Sequence, residues 1–272
     1  MARANGLSTT PTVVAELGPG DSLGTGLAAL LCGAGRLYAL DVEHYANTTR
    51  NLRILDELVD LLRARAPIPG DDEFPEVRPR LLDYAFPHAM LTEVRLGPAL
   101  EAGRVAAIRS ALDPSPGAQT GAIRIAYFVP WSAAGVIEEG SVDFVYSQAV
   151  FEHVTDIDQA YGALQRWLKP GGFMSHQIDF RCHGLAREWN GHWGYSDAVW
   201  GVIQGRKSFL LNRQACSVHL ARLAEHGFTL VGEARVESAG GIPRDRLAPR
   251  FRRYGDEDLR TSAALLQSVK RA

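Results

Sequence analysis

Cysteine is scarce in this chain: Cys32, Cys182 and Cys216 lie far apart in 272 residues, with no CxxC pair. That spacing argues against a disulfide framework or a zinc knuckle and fits a reducing cytoplasm. No charge of one sign dominates, with 29 Lys and Arg against 31 Asp and Glu, so no global basic field recruits nucleic acid. The C-terminal arginines (Arg244, Arg246, Arg250, Arg252, Arg253) are mixed with Asp245, Asp256, Glu257 and Asp258, which reads as solvated surface. Long apolar runs are also missing. The most apolar stretch, residues 23–40, is broken by glycines and Arg36 and does not suit a membrane span. Residues 1–10 lack the apolar core of a signal peptide. The expectation is a soluble cytoplasmic protein with neither a membrane nor a nucleic acid as partner.

What is present suits a globular enzyme. Hydrophobic residues make up 46% and charged residues 22%, enough for one α/β domain spanning 1–272. Short apolar runs at 12–17, 36–41, 123–129, 142–147 and 172–179 read as buried strands. Leu52, Leu55, Leu58, Val59 and Leu62 recur at helical spacing, and 157–168 reads as another helix. Later strand candidates are 228–236 and 265–269. Strands alternating with helices imply a Rossmann-like, doubly wound and mostly parallel sheet. The 67–120 stretch is longer than a crossover needs. It reads as an inserted helical and loop segment between the second and third strands, forming a lid or a homodimer contact, with Pro114-Ser115-Pro116-Gly117 near its end.

The first strand runs into Glu16-Leu17-Gly18-Pro19-Gly20-Asp21. Gly18 and Gly20 permit a turn that lets a ligand lie against the main chain. A structural strand-to-helix turn also uses glycine, so the turn alone decides little. Asp41 ends the second strand about twenty residues on, where a carboxylate can accept hydrogen bonds from a ribose diol. That spacing also suits a dinucleotide enzyme, but G-x-G-D-S-L-G departs from G-x-G-x-x-G, and Glu16 and Pro19 point away from it.

Glu16–Gly20 resembles the first motif of class I S-adenosylmethionine-dependent methyltransferases, and Asp41 resembles the acid of their second. Gly140–Ser147 followed by Phe151-Glu152-His153-Val154 is similar to their fourth-strand segment, and Leu168–Gly172 to the turn before their fifth strand. The resemblance covers residues 12–180. It implies a seven-stranded sheet with its last strand antiparallel, and S-adenosyl-L-methionine as cofactor. It implies that Gly18 and Gly20 pass under the methionine part, that Asp41 binds the ribose hydroxyls, and that Ser147 lines the sulfonium side. The acid that many members carry after the third strand is replaced by Pro130-Trp131-Ser132. Trp131 can stack on adenine with Ser132 as a polar contact, or belong to the core.

Methyl transfer needs an acceptor atom held behind the methyl group, away from water, with a route for its proton. Asp179, His192 and His153 are the candidate bases, each beyond the end of a central strand. Glu152 reads as a supporting partner of His153. His176 sits deeper in the fifth strand, as a substrate contact or a satisfied core group. Trp189, Asn190 and Trp193 can grip a ring-shaped acceptor or simply anchor their loop. No histidine spacing matches a standard metal site, and none is expected. The expected partner is a small-molecule acceptor presenting a hydroxyl or an amine, such as a sugar-like or natural-product compound. The alternatives are a nucleic-acid or protein methyltransferase, or a protein that keeps the cofactor fold without methylating.

Overall fold

The structure is a computed structural model that describes residues 2–75, 80–113, 121–132, 135–207 and 209–271. Seven strands, β1 (Val13–Leu17), β2 (Arg36–Leu40), β3 (Arg124–Phe128), β4 (Val142–Gln148), β5 (Leu168–Asp179), β6 (Phe228–Glu237) and β7 (Thr261–Lys270), form one sheet ordered β3-β2-β1-β4-β5-β7-β6. The first five pair in parallel, and β7 runs antiparallel between β5 and β6. The seven-stranded architecture with an antiparallel last strand is therefore as expected.

Side-chain alternation sorts the strands onto two cores. Ala15, Leu17, Val145, Met174 and Ile178 face α5 (Ile157–Trp167) and α6 (Cys216–Glu225). Val14, Leu37, Ala39 and Ile125 face α1 (Gly24–Leu31), α2 (Thr48–Ala64) and α4 (Ala102–Ala111). Local chemistry starts two of these helices: the Asn47 side chain accepts from the Arg50 amide ahead of α2, and that of Asp156 from the Gln159 amide ahead of α5. A third apolar cluster, centred on Trp193, Phe251 and Tyr254, is built from the segments that follow β5 and β6.

Two segments differ in detail from the sequence reading. The fifth strand begins at Leu168, not Gly172, because Leu168 already pairs with Val142. Lys169 to Gly172 then form an irregularity before regular pairing resumes at Phe173, with Gly171 at φ 75°. Within 67–120, α3 (Glu93–Ala99) and α4 pack against α1. Ile108 is wholly buried there, and Arg104 donates to the carbonyls of Leu30 and Ala34 at the far end of α1. Pro114–Gly117 lie outside the described residues.

Candidate active site

Because β1 to β5 run in parallel, the segments that leave them emerge along one edge of the sheet, where α/β proteins bind ligands. A cleft of about 460 Å³ opens at that edge, within the ~300–1,000 Å³ typical of small-molecule sites. Its walls come from the turn after β1 (Gly18, Gly20), from Asp41, Val42 and Tyr45 after β2, and from Trp131 and Ser132 after β3. The segment after β4 completes it, from Ala149 to Asp156 and including His153, with Phe209 at its rim.

The glycine turn is held in shape by the acid beside it. Gly18 and Gly20 have φ of 65° and 69°, a region that side chains disfavour. Asp41 accepts the Gly20 amide on Oδ2 at 3.1 Å and the Val42 amide on Oδ1 at 2.7 Å. A carboxylate has about four lone-pair positions, so two such bonds leave it able to accept more. A Cβ on Gly18 would lie 2.5 Å from Val150, whereas one on Gly20 would meet nothing within 4 Å. The open turn leaves space along the main chain beside the acid, on the wall of the cleft.

Glu16 and Ser147 take other positions. Glu16 faces the α1 layer, where its Oε2 accepts from the Tyr146 hydroxyl at 3.2 Å. Burial pushes its carboxyl up to about 7. Ser147 faces the α5 layer and bonds His176 Nδ1 at 2.8 Å. Neither lines the cleft. His176 is buried against the Phe151 ring, with centroids 4.6 Å apart, and has no place on the cleft wall.

Beyond the cleft lies a cluster of ionisable groups reached through His153. The His153 and His183 ring centroids are 5.4 Å apart, and His153 Nδ1 lies 2.9 Å from the Phe209 carbonyl oxygen. Asp179 accepts from three donors of Arg181, the amide, Nη2 and an Nε shared between both oxygens, at 2.7–3.0 Å, and His183 Nε2 lies 3.4 Å from it. Burial alone would raise the Asp179 pKa, but His183 and Arg181 outweigh it and hold the carboxyl well below the usual range. Beside it, Glu152 is buried and neither of its oxygens has a hydrogen-bond partner. Burial and the nearby Asp179 push its pKa up to about 7. The D-x-R-x-H run at 179–183, whose chain leaves β5 and turns at His183 (φ 48°), is the sequence signal that could have found this cluster. Its meaning depends on Glu152 arriving from β4.

The loop after β5 serves mainly as an anchor. Trp193 is wholly buried and donates Nε1 to the Arg213 carbonyl at 3.1 Å. Asn190 is also fully buried, with Oδ1 accepting the Ile242 amide at 2.7 Å. Both therefore belong to the third apolar cluster and its supports. His192 is buried beneath the same loop. Burial and the nearby Arg213 lower its pKa to about 3, and its Nδ1 is unpartnered. Trp189 joins this cluster to the main core, with Nε1 unpartnered. Among the described residues, no group of three or more His, Cys, Asp or Glu is placed to hold a metal ion.

Sequence comparison supplies the deciding observation. The family model for a methyltransferase domain matches residues 111–175, from the end of α4 through β3 and β4 into β5. The chain carries a methyltransferase domain. Its cofactor is S-adenosylmethionine. No curated protein sequence matches this methyltransferase. Similar solved structures include a methyltransferase from Methanosarcina mazei (11% identity, TM-score 0.48, covering 99% of this chain and 96% of that one). Another, from Mesorhizobium loti, has 14% identity and TM-score 0.45, covering 98% and 95%. A geranyl diphosphate C-methyltransferase from Streptomyces coelicolor has 10% identity and TM-score 0.46, covering 95% and 72%.

The buried ionisable groups of the methyltransferase set how its stability responds to pH. Burial lowers the pKa values of His176, His192 and His219 from 6.5 to about 3. The unfolded chain therefore takes up three protons below 6.5 that the native state refuses until about pH 3, and stability falls with acid through that window. Glu16 and Glu152 act oppositely: the native state holds their protons up to about 7 and the unfolded chain only below about 4.5. Each thus withdraws stability as pH rises from 4.5 to 7. His153 and His183 shift in opposite directions and offset one another. Between pH 6.5 and 4.5, three imidazoles outweigh two carboxyls and the decline is gentle. Below 4.5 the carboxyl offset ends and the decline steepens, with Asp143 and Asp179 adding to it below about 3.8. Thermal melts should show a shallow fall in Tm to pH 5 and a steep one below 4.5. A steep fall already between pH 6.5 and 5 would contradict this balance.

Proposed function

We propose that this methyltransferase modifies a small molecule held between the cofactor cleft and the Glu152–Asp179–His183 cluster. One observation supports the reading: His153, on the cleft wall, packs against His183, which with Arg181 pairs with Asp179, so a compact group of ionisable side chains of both signs lies behind that wall. An extended anionic polymer would call for an open surface of one positive sign. A compact acceptor needs only a closed end with a few converging polar groups.

In this reading the Gly18 and Gly20 backbone passes beneath the methionine part of the cofactor. Asp41 receives the ribose hydroxyls on the lone pairs that the Gly20 and Val42 amides leave free. Trp131 and Ser132 flank the adenine. Glu16 acts indirectly by bracing β1 against Tyr146, and Ser147 by fixing His176 in the core. Turnover with methyl-labelled S-adenosylmethionine, followed over compact acceptors and over peptide and RNA substrates, tests the acceptor class. Label found only in peptide or RNA would reject the small-molecule reading.

Asp41→Asn separates cofactor binding from chemistry. The amide keeps the size of the carboxylate but offers fewer acceptor positions and an NH2 toward the Gly20 amide. The apparent KM for S-adenosylmethionine should rise at least tenfold, while kcat at saturating cofactor changes less than threefold. A pure kcat defect would place Asp41 in the chemical step instead.

A further inference from the structure

His153 forms part of the cleft wall, and Phe209 stands at the rim beside it. One short stretch of chain, 209–212, fixes both the backbone and the ring of His153. Asn212 donates its amide to the Glu152 carbonyl at 2.7 Å, and its Nδ2 to the carbonyls of Phe151 and Val154 at 2.7 and 2.9 Å. These carbonyls flank His153 on both sides in the chain. The Phe209 carbonyl oxygen lies 2.9 Å from His153 Nδ1. A carbonyl only accepts, so Nδ1 carries the ring proton, and Nε2 of the neutral imidazole carries the lone pair. The ring is half-buried. Among the described residues, Nε2 has no hydrogen-bond partner.

Neighbouring charge keeps that lone pair free. The titratable groups acting on His153 are His183, with ring centroids 5.4 Å apart, and Asp179, which pairs with His183. Asp179 favours the charged form of His183, so of the two imidazoles His183 takes up a proton first. Burial and the His183 charge then lower the His153 pKa from its ordinary 6.5. A neutral ring with one nitrogen tied down and the other open is what a proton acceptor needs. The other candidates lack this arrangement. Arg181 and His183 occupy the oxygens of Asp179, and His192 is buried away from the cleft wall.

We propose that His153 is the catalytic base, with Nε2 turned toward the point in the cleft where the methyl group leaves sulfur; this rests on the cofactor placement proposed above. The acceptor oxygen or nitrogen bonds the methyl carbon, and sulfur keeps the electron pair of the bond it loses. The proton shed by the acceptor atom passes to Nε2. The positive charge thus moves from sulfur to the imidazole, leaving a neutral thioether, a methylated acceptor and an imidazolium. The imidazolium returns its proton to solvent before the next turnover. Nδ1 stays on the Phe209 carbonyl throughout, so the ring keeps its direction while its charge changes.

The test uses the full chain, its His153→Asn variant and two cofactor-site probes, S-adenosylhomocysteine and sinefungin. In sinefungin an amine-bearing carbon replaces the methyl-bearing sulfur, so its ammonium occupies the position of the transferring methyl group. Asparagine still offers the Phe209 carbonyl a donor but has nothing in place of Nε2. Calorimetry at pH 8 should show the parent binding sinefungin at least tenfold more tightly than S-adenosylhomocysteine, the scale of one charge-assisted hydrogen bond. The preference should fade below pH 6.5, as His153 gains its own proton through its lowered pKa. His153→Asn should bind S-adenosylhomocysteine within twofold of the parent and show no preference at any pH. Nitrogen-15 spectra of the parent should place the His153 proton on Nδ1. With the acceptor that methyl labelling identifies, the variant should lose about a hundredfold in kcat. A preference that survives the substitution, the opposite tautomer or an unchanged kcat would each overturn the proposal. A parent that binds both probes equally would remove the base alone, whereas one that binds neither would remove the cofactor placement with it.

Discussion

Gly20→Val should bind S-adenosylhomocysteine at least a hundredfold more weakly than the parent while remaining folded. Two effects act at one residue. At φ 69°, a β-branched side chain occupies a backbone region that costs about 1–3 kcal/mol, and relaxation toward ordinary φ would swing the amide away from Asp41. If the backbone holds instead, the new side chain has nothing within 4 Å of its Cβ to stop it and projects from a residue that lines the cleft, into the space the ligand needs. A hundredfold loss corresponds to about 2.7 kcal/mol, within the sum of strain and exclusion. Calorimetry decides the matter. A folded variant with unchanged affinity would remove the ligand from this turn.

The second large effect concerns stability. Trp193→Ala should destabilise the protein by about 3–5 kcal/mol, the range for emptying a fully buried aromatic site. Trp193 is 0% exposed, packs on Phe251 and Tyr254, and gives its indole N–H to the Arg213 carbonyl. Removal leaves a large void and an unpaired carbonyl. The Arg213 guanidinium, stacked between Trp200 and Phe251 and paired with Asp197, would lose the frame around it. Denaturant unfolding should show a lower midpoint. A variant of parental stability with only a raised acceptor KM would instead place Trp193 against substrate.

Both substitutions fall at positions that the sequence marks, yet their consequences differ in origin. A turn of two glycines after an apolar run, with an acid closing the next strand, states its own geometry. The positive φ at Gly18 and Gly20 follows from short-range steric rules, and Asp41 comes beside them because β2 pairs with β1, so the shape of this turn was legible in advance. The parallel strands were legible for the same reason, because strands covered on both faces read as unbroken apolar runs.

The directions of single side chains were not. Glu16 and Ser147 each sit one residue before the end of a strand that reaches the cleft, but each is engaged elsewhere, Glu16 on the α1 face with Tyr146 and Ser147 on the α5 face with His176. Parity depends on register against the neighbouring strand, which a sequence does not display. The acceptor end shows the same limit more sharply. Asp179 reads as a free base until Arg181 and His183 fold back onto it, and Glu152 reads as a supporting partner until β5 comes alongside and leaves it dry. Trp193 and Asn190 resemble a binding loop until segments 50 residues further on pack beneath them. The apolar strands, the glycine turn and the acid that closes the second strand are local consequences of residue type, and the sequence alone determined them. Which carboxyl is paired, which is unpaired, and which aromatic is core depend on neighbours distant in the chain. Desolvation and pairing act through space, so only the tertiary structure decided them.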